Sequence, residues 1–209
     1  KARDLAREKG WAETHIDAGA FILTGFRRPS SFSGANPSDE LHIYLEGDGH
    51  AWESKSRISP DPTPLDPVAL KMALSDPGKN VFYLARPCQY TTQKTRRNCD
   101  NARYWTSWRF SKEVIEATNR AIDTAKKNTK SNRIALIGYS GGGAVAALVA
   151  ARRQDVFLLV TAAGTLDHAA WTTHHFVSPL RDSLNPIDFA SSLASIRQIH
   201  LVGSEDEIM

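Results

Sequence analysis

The stretch that decides the fold class is Arg133-Ile-Ala-Leu-Ile-Gly-Tyr-Ser-Gly-Gly-Gly-Ala-Val-Ala-Ala-Leu-Val-Ala-Ala151. Its opening residues, Arg133 to Ile137, are apolar after the arginine and predict a buried strand. The small residues that follow predict a helix over Gly141 to Arg152. A buried strand that leads through glycines directly into a helix is typical of proteins that alternate strands and helices.

The junction between the two elements, Gly138-Tyr-Ser-Gly-Gly142, matches the pattern Gly-x-Ser-x-Gly. In that pattern the serine lies on a strained turn, and the glycines avoid collisions with neighbouring backbone. The helix N-terminus at Ser140 also favours a developing oxyanion. We therefore predict that Ser140 is a nucleophile. The alternative is a glycine-rich turn that binds phosphate or nothing, but the Walker pattern needs a lysine where Ala144 stands.

Strand-like and helix-like segments alternate along the whole chain, which predicts one domain with a mostly parallel sheet and helices on both faces. The predicted strands are Thr14–Asp17, Ala20–Phe26, Leu41–Leu45, Val81–Ala85, Arg133–Ile137, Val156–Ala162 and Ile199–Val202. Two further helices are predicted, one from Pro67 to about Asp76 and one that Ser111 caps. A loop is predicted over Pro29–Asp39, and residues 165–197 form a long, cap-like insertion within the domain.

The composition excludes several classes of function. The 209 residues are 41% hydrophobic and 23% charged, with a formal net charge of +3, which is ordinary for a globular domain. The charge is too balanced to indicate a nucleic-acid partner, and the basic pairs are too short to form a patch. No apolar stretch approaches the length of a transmembrane segment. Nothing in the sequence indicates the oligomeric state.

Two cysteines, Cys88 and Cys99, lie in a polar stretch without helical or strand periodicity. Free cysteines are usually buried in apolar surroundings, which this stretch does not offer. We therefore predict a disulfide that closes the loop, and with it an oxidising compartment. Two unrelated thiols are the alternative.

The segment Glu46-Gly-Asp-Gly-His50 directly follows the predicted strand Leu41–Leu45. Small residues at the end of such a strand allow a backbone N–H group to approach a substrate carbonyl oxygen. We predict that the oxyanion donors are the amides of Asp48 or Gly49, together with that of Gly141. The alternative is a simple turn after a strand.

The segment Gly203-Ser-Glu-Asp206 follows the last predicted strand. A carboxylate there can orient the imidazole that serves the nucleophile and stabilise the imidazolium. We predict that Asp206 has this role. The other carboxylates near this position or after the preceding strand are Glu205, Glu207 and Asp167.

The order of these motifs resembles the α/β-hydrolase superfamily. More narrowly, Tyr44-Leu-Glu-Gly-Asp-Gly-His-Ala-Trp52, Ala85-Arg-Pro-Cys-Gln-Tyr90, Tyr104-Trp-Thr-Ser107 and Leu166-Asp-His-Ala-Ala-Trp171 resemble a group of bacterial exported α/β-hydrolases that includes lipoproteins. The similarity runs from about Trp11 to the end. It implies an α/β-hydrolase fold, export and serine hydrolysis, but no particular substrate.

One feature departs from the superfamily, in which the catalytic histidine follows the acid. Only Glu207, Ile208 and Met209 follow Asp206, and all seven histidines precede it. We therefore expect the histidine beyond this chain. An internal base is the alternative, and the candidates above the site are His50, His168, His174 and His175. A metal site at His174-His175 lacks a third ligand, so none is predicted.

These observations predict an extracytoplasmic carboxylic-ester hydrolase that acts on a small-molecule or lipid-like ester without a metal or organic cofactor. Trp171 and Phe176, in the insertion over residues 165–197, are expected to cover the site. A non-catalytic ligand- or envelope-binding protein of the same fold is one alternative, because a fold alone does not fix a function. An amidase or thioesterase is another, since it would use the same residues.

Overall fold

A central sheet organises the computed structural model, which describes residues 1–29 and 39–204. Within those residues the sheet has seven strands in the order β1-β2-β6-β3-β7-β8-β9. Their bounds are β1 Ala12–Asp17, β2 Ile22–Arg27, β3 Glu40–Leu45, β6 Val81–Leu84, β7 Arg133–Tyr139, β8 Val156–Ala162 and β9 Arg197–Leu201. A separate hairpin consists of β4 Trp52–Ser54 and β5 Arg57–Ile58. Most of the predicted loop over Pro29–Asp39 lies outside the described residues.

The sheet is mainly parallel, as predicted. Strands β6, β3, β7, β8 and β9 pair in parallel, whereas β1 and β2 add an antiparallel margin next to β6. The near-continuous apolar runs of β6 and β7 are typical of parallel strands with both faces covered. Parallel strands end at the same edge of a sheet, so the loops after β3 and β7 lie side by side.

Helices cover both faces, also as predicted. They are α1 Ala2–Glu8, α2 Val68–Ser75, α3 Lys112–Thr129, α4 Gly141–Ala150, α5 His168–His174 and α6 Ala190–Leu193, with 3₁₀ turns at Ala102–Trp105 and Pro186–Phe189. The predicted N-cap of α3 is confirmed, because the Ser111 hydroxyl accepts a hydrogen bond from the Val114 amide at 3.4 Å. None of the helices in the described ranges combines the length and the apolar character needed to cross a bilayer.

The two sides of the sheet bury separate apolar clusters because strand side chains alternate between faces. Leu41, Ile43 and Leu45 of β3 join the cluster that contains α3 and α4. Tyr44, on the opposite face of the same strand, joins the cluster that contains residues of α1 and α2. Helix α4 is buried along its whole length, which fits its run of alanines and valines.

The predicted disulfide between Cys88 and Cys99 is confirmed, with 5.3 Å between the two Cα atoms. The reason given for it from the sequence was wrong, however. Both cysteines are buried and belong to the larger apolar cluster, although the residues between them are polar. The loop folds its two ends inward, and its charged residues face outward.

Candidate active site

Ser140 lies at the carboxyl end of β7, where the chain turns into α4. Its backbone angles, φ 51° and ψ −124°, are ones that a residue with a side chain rarely adopts. The Ser140 amide donates a hydrogen bond to the Ala162 carbonyl at 2.9 Å, which ties the turn to β8. The Ser140 carbonyl accepts from the Gly143 amide at 2.8 Å. The predicted strained turn is therefore confirmed.

The glycines on either side of Ser140 are required by the close approach of backbone atoms. A β-carbon built on Gly138 would lie 2.3 Å from the carbonyl oxygen of Gly142. A β-carbon on Gly142 would lie 2.3 Å from the carbonyl oxygen of Leu45, at the end of β3. Any larger residue at either position would push the turn away from the sheet.

A cavity of about 430 Å³ opens at Ser140. Its wall is formed by residues of three segments, namely 46–50, 64–68 and Tyr139-Ser140. Leu65 and Val68 make part of this wall apolar, while His50 and Asp66 add polar groups. The half-buried Ser140 therefore lies beside both apolar and polar side chains.

The insertion over residues 165–197, all of which the structure describes, contributes no residue to the lining of this cavity. It packs instead on the segment before α3: the Leu184 amide donates to the Phe110 carbonyl at 3.0 Å, and the Ser183 hydroxyl donates to the Ser107 carbonyl at 2.7 Å. The Phe176 side chain is 96% exposed. Its predicted role in covering the site stays a prediction.

The predicted oxyanion loop, which comprises residues 46–50 after β3, lies against Ser140. A β-carbon on Gly47 would lie 3.3 Å from the Ser140 Cβ atom, so the loop and the serine touch. The Gly47 amide is already engaged, because it donates to Glu46 Oε1 at 3.0 Å. Within residues 1–29 and 39–204, the amides of Asp48 and Gly49 have no hydrogen-bond acceptor. Those two amides are available to a substrate.

Gly141 stands in the first turn of α4, where an N–H group has no partner within the helix. Together with the amides of the loop after β3, it places free N–H donors on two sides of Ser140. The structure thus brings Ser140, Asp48, Gly49 and Gly141 together. Their roles as nucleophile and oxyanion donors stay predictions.

The Asp48 side chain forms partly buried ion pairs with two arginines, which the sequence analysis missed. Its Oδ1 accepts a hydrogen bond from Arg86 at 3.1 Å, and its Oδ2 accepts one from Arg109 at 2.6 Å. Burial raises the pKa of the Asp48 carboxyl, but the charges of Arg109 and Arg86 outweigh burial and lower it. Asp48 is therefore ionised at neutral pH. Its two hydrogen bonds tie the oxyanion loop to Arg86, which follows β6, and to Arg109, which precedes α3.

Glu46, in contrast to Asp48, is a fully buried carboxylate next to this loop. Its Oε2 accepts from the Tyr83 hydroxyl at 3.0 Å, and its Oε1 accepts from the Ala69 amide at 3.4 Å. Helix α2 begins after Pro67, which provides no side-chain cap. The amides of its first turn have no partner within the helix, and the Glu46 carboxylate accepts a hydrogen bond from one of them. Burial raises the pKa of Glu46, and its hydrogen bonds oppose that shift.

The predicted acid, Asp206, lies outside the described residues, as do its neighbours Glu205 and Glu207. The remaining alternative, Asp167, is described and acts as the N-cap of α5. Its Oδ1 accepts hydrogen bonds from the amides of Ala169 and Ala170, both at 3.1 Å. A carboxylate engaged in this way has a structural role.

The histidines of the described residues lie in different surroundings. His50 lines the same cavity as Ser140. His168 is buried against Phe110, and neither ring nitrogen has a hydrogen-bond partner among the described residues. His42 and His200 lie on strands, as predicted, where His42 Nδ1 lies 2.7 Å from Asp76 Oδ2 and His200 Nδ1 lies 2.8 Å from Thr161 Oγ1.

A metal ion is not indicated by the described part of the chain, in which no three histidine, cysteine, aspartate or glutamate side chains cluster suitably. His174 and His175 do contact each other, with 4.9 Å between their ring centroids. A third ligand beside them is absent from the described residues.

Comparison with solved structures identifies the architecture. An esterase from Pyrococcus furiosus superposes on 100% of this chain and 75% of its own, with a TM-score of 0.61 and 15% identity. An acylaminoacyl peptidase from Pyrococcus horikoshii covers 99% of this chain and 34% of its own, with a TM-score of 0.61 and 12% identity. The chain has an α/β-hydrolase fold. No protein-family model and no curated protein sequence matches it.

Within this hydrolase fold, the sequence analysis missed three residues that hold the site together: Arg86, Gln89 and Arg109. A signal existed for the first of these. Arg86 directly follows the apolar run that starts with β6 and ends at Ala85, and a charge at that position is unusual without a buried partner. Arg109 and Gln89 lie in segments without periodicity and gave no comparable signal.

Proposed function

We propose that this protein is a serine hydrolase that cleaves carboxylic esters through Ser140. The observation that carries the proposal is the strained turn of Ser140 between β7 and α4, beside a cavity and two sets of free amides. A strained backbone persists only where the surrounding structure enforces it, and such sites cluster where chemistry occurs.

In the proposed reaction, the Ser140 Oγ attacks the acyl carbon while a histidine takes its proton. That histidine follows Asp206 along the full protein, in the order that the superfamily resemblance implies, and Asp206 orients it. The amides of Asp48 or Gly49 and of Gly141 stabilise the negative charge on the carbonyl oxygen. Collapse of the tetrahedral intermediate releases the alcohol, which takes the proton from the histidine, and water then hydrolyses the acyl-serine.

The proposed substrate is a small-molecule or lipid-like ester. The cavity volume of about 430 Å³ lies in the range of sites for small molecules. Pro64, Leu65 and Val68 supply an apolar wall suited to an acyl chain. This mechanism needs neither a metal nor an organic cofactor.

We further propose an extracytoplasmic location, as in the exported hydrolases that the sequence resembles. The disulfide between Cys88 and Cys99 supports it, since disulfides persist mainly in oxidising compartments. Alkylation of intact cells before lysis tests this proposal. We expect the reagent to modify Cys88 and Cys99 only after a reductant has been added. Modification of both thiols without a reductant would contradict the proposed location.

The decisive experiment is labelling of the full protein with a fluorophosphonate probe, followed by peptide mapping. We expect modification of Ser140 and its loss in Ser140→Ala. The exposed serine Ser178, away from the cavity, provides the control, and Ser178→Ala should label normally. A folded protein that never labels at Ser140 would favour a binding protein. Matched ester, amide and thioester substrates then distinguish the esterase from the amidase and thioesterase.

A further inference from the structure

Gln89 is a buried side chain, 2% exposed, in the loop that follows β6. Both ends of its amide are engaged. Its Oε1 accepts a hydrogen bond from the Arg86 amide at 3.0 Å, and its Nε2 donates one to the Gly47 carbonyl at 2.9 Å. The first contact fixes the side chain on its own loop, and the second reaches across to the oxyanion loop.

The Gly47 carbonyl and the Asp48 amide belong to the same peptide group. That group is planar and trans, so its carbonyl and N–H bonds point in opposite directions. Whatever holds the Gly47 carbonyl therefore also sets the direction of the Asp48 N–H. Gln89 does not line the cavity, so the carbonyl points into the protein and the N–H points the other way.

We infer that Gln89 is a positioning residue that holds the Asp48 amide as an oxyanion donor. This inference rests on the proposed serine hydrolysis. Gln89 touches no substrate in this role. It preorganises the peptide, so that the donor needs no rearrangement when charge develops on the carbonyl oxygen.

The surroundings of Gln89 are built around this contact. A β-carbon on Gly49 would lie 2.7 Å from Gln89 Nε2, and Gly49 also has a positive φ of 67°. The neighbouring residue, Cys88, is covalently tied to Cys99. The Gly47 amide is held separately by Glu46 at 3.0 Å, so both sides of the loop are restrained.

The test compares Gln89→Glu and Gln89→Met with the natural protein in ester hydrolysis. Glutamate keeps the shape and the acceptor for the Arg86 amide, but its carboxylate cannot donate to the Gly47 carbonyl. We expect kcat to fall about tenfold to a hundredfold with KM nearly unchanged, somewhat less than the loss of a direct oxyanion donor. Methionine removes both hydrogen bonds and should reduce kcat at least as far.

The pH dependence separates positioning from a general structural defect. A protonated glutamic acid at position 89 donates a hydrogen bond again, so the ratio of kcat in Gln89→Glu to that in the natural protein should rise as the pH falls. The ratio for Gln89→Met should stay flat. Thr95→Val is the control, because Thr95 is a buried polar residue of the same loop whose side-chain hydrogen bonds, among the described residues, are all to Thr92. Its kcat should be unchanged.

The outcomes separate the two claims. Absence of both labelling at Ser140 and ester hydrolysis in the natural protein overturns the proposed function. Normal labelling with kcat unchanged in Gln89→Glu and Gln89→Met overturns the role of Gln89 alone. The role of Gln89 is also overturned if Gln89→Glu and Thr95→Val lose the same fraction of kcat and the loss in Gln89→Glu does not change with pH. If one of the two Gln89 variants does not fold, the melting curve identifies it and the other variant decides.

Discussion

The carboxylate of Asp48 lies directly against the α-carbon of Gly141. A β-carbon built on Gly141 would come within 2.1 Å of Asp48 Oδ1. The carboxylate cannot move easily, because Arg86 and Arg109 hold it in two partly buried ion pairs. Gly141, the residue after Ser140, and the loop after β3 are therefore fitted to each other at one contact.

The substitution Gly141→Ala should consequently lower both the stability of the fold and the rate of the proposed reaction. We expect the free energy of unfolding to fall by roughly 1–3 kcal/mol, the usual cost of overpacking. Labelling of Ser140 by a fluorophosphonate should slow as the turn at Ser140 and the loop after β3 move apart. Denaturant unfolding and labelling rates measure the two effects.

The matched control is Gly10→Ala, where a β-carbon meets no atom within 4 Å. Its positive φ of 71° carries a conformational cost of about 1 kcal/mol, but Gly10 does not line the cavity at Ser140, so labelling should not change. Normal stability and normal labelling in Gly141→Ala would show that Asp48 can move aside.

A second prediction concerns the pair formed by His42 and Asp76, with 2.7 Å between His42 Nδ1 and Asp76 Oδ2. The hydrogen bond to Asp76 raises the pKa of His42 above 6.5, burial opposes this, and Glu40 adds a smaller rise. The protonated histidine therefore stabilises the folded state. This stabilisation is complete below the unfolded pKa and is lost as the pH rises through the higher folded pKa.

The free energy of unfolding should accordingly decrease as the pH rises from below the ordinary histidine pKa, about 6.5, through the raised folded pKa of His42. His42→Gln cannot titrate and should show a flatter dependence over the same range. Urea denaturation at several pH values measures both proteins. Parallel curves for the two proteins would remove His42 as the source of the dependence.

The strands of the sheet could be predicted because the apolar pattern that indicates a strand lies within a few neighbouring residues. The predicted strand Val156–Ala162 matches β8 at both ends, and the others differ by a few residues. The glycine pattern around Ser140 was equally informative, because short backbone contacts within one turn impose it. By contrast, α1 and the hairpin of β4 and β5 were missed, since both are short and lack a distinct periodicity.

The side-chain network of the site could not be predicted, because its partners are far apart along the chain. Asp48 lies 38 residues from Arg86 and 61 from Arg109. Sequence reasoning used only the backbone of Asp48 and left its carboxylate without a role. The burial of Cys88 and Cys99 was missed for the same reason, because their apolar neighbours come from distant segments.

A third prediction concerns removal of the disulfide in a Cys88→Ala, Cys99→Ala variant. The closed loop spans 11 residues, and the chain-entropy model gives a loss of stability of about 2–3 kcal/mol for such a loop. Because Gln89 follows Cys88 directly, kcat should decrease as well. Thermal unfolding and ester hydrolysis measure the two effects, with Thr95→Val as the control for the loop. An unchanged melting temperature would contradict the structural role of the bond.

The last prediction addresses the base that, in the proposed mechanism, activates Ser140. His50 lines the same cavity as Ser140, which makes it the internal candidate that must be tested first. If the base is a histidine that follows Asp206, His50 contributes only to the cavity wall. His50→Ala should then lower kcat by less than about tenfold, whereas Ser140→Ala should abolish turnover by several orders of magnitude.

The control is His200→Ala, which removes a histidine on β9 that does not line the cavity and should leave kcat near normal. The pH dependence of kcat/KM decides the assignment, because it reports the pKa of the base in the free enzyme. His50→Ala should retain the rise of the natural profile near neutral pH. If His50→Ala folds normally, loses as much activity as Ser140→Ala and also loses that rise, the base is His50 and the expected histidine after Asp206 is unnecessary.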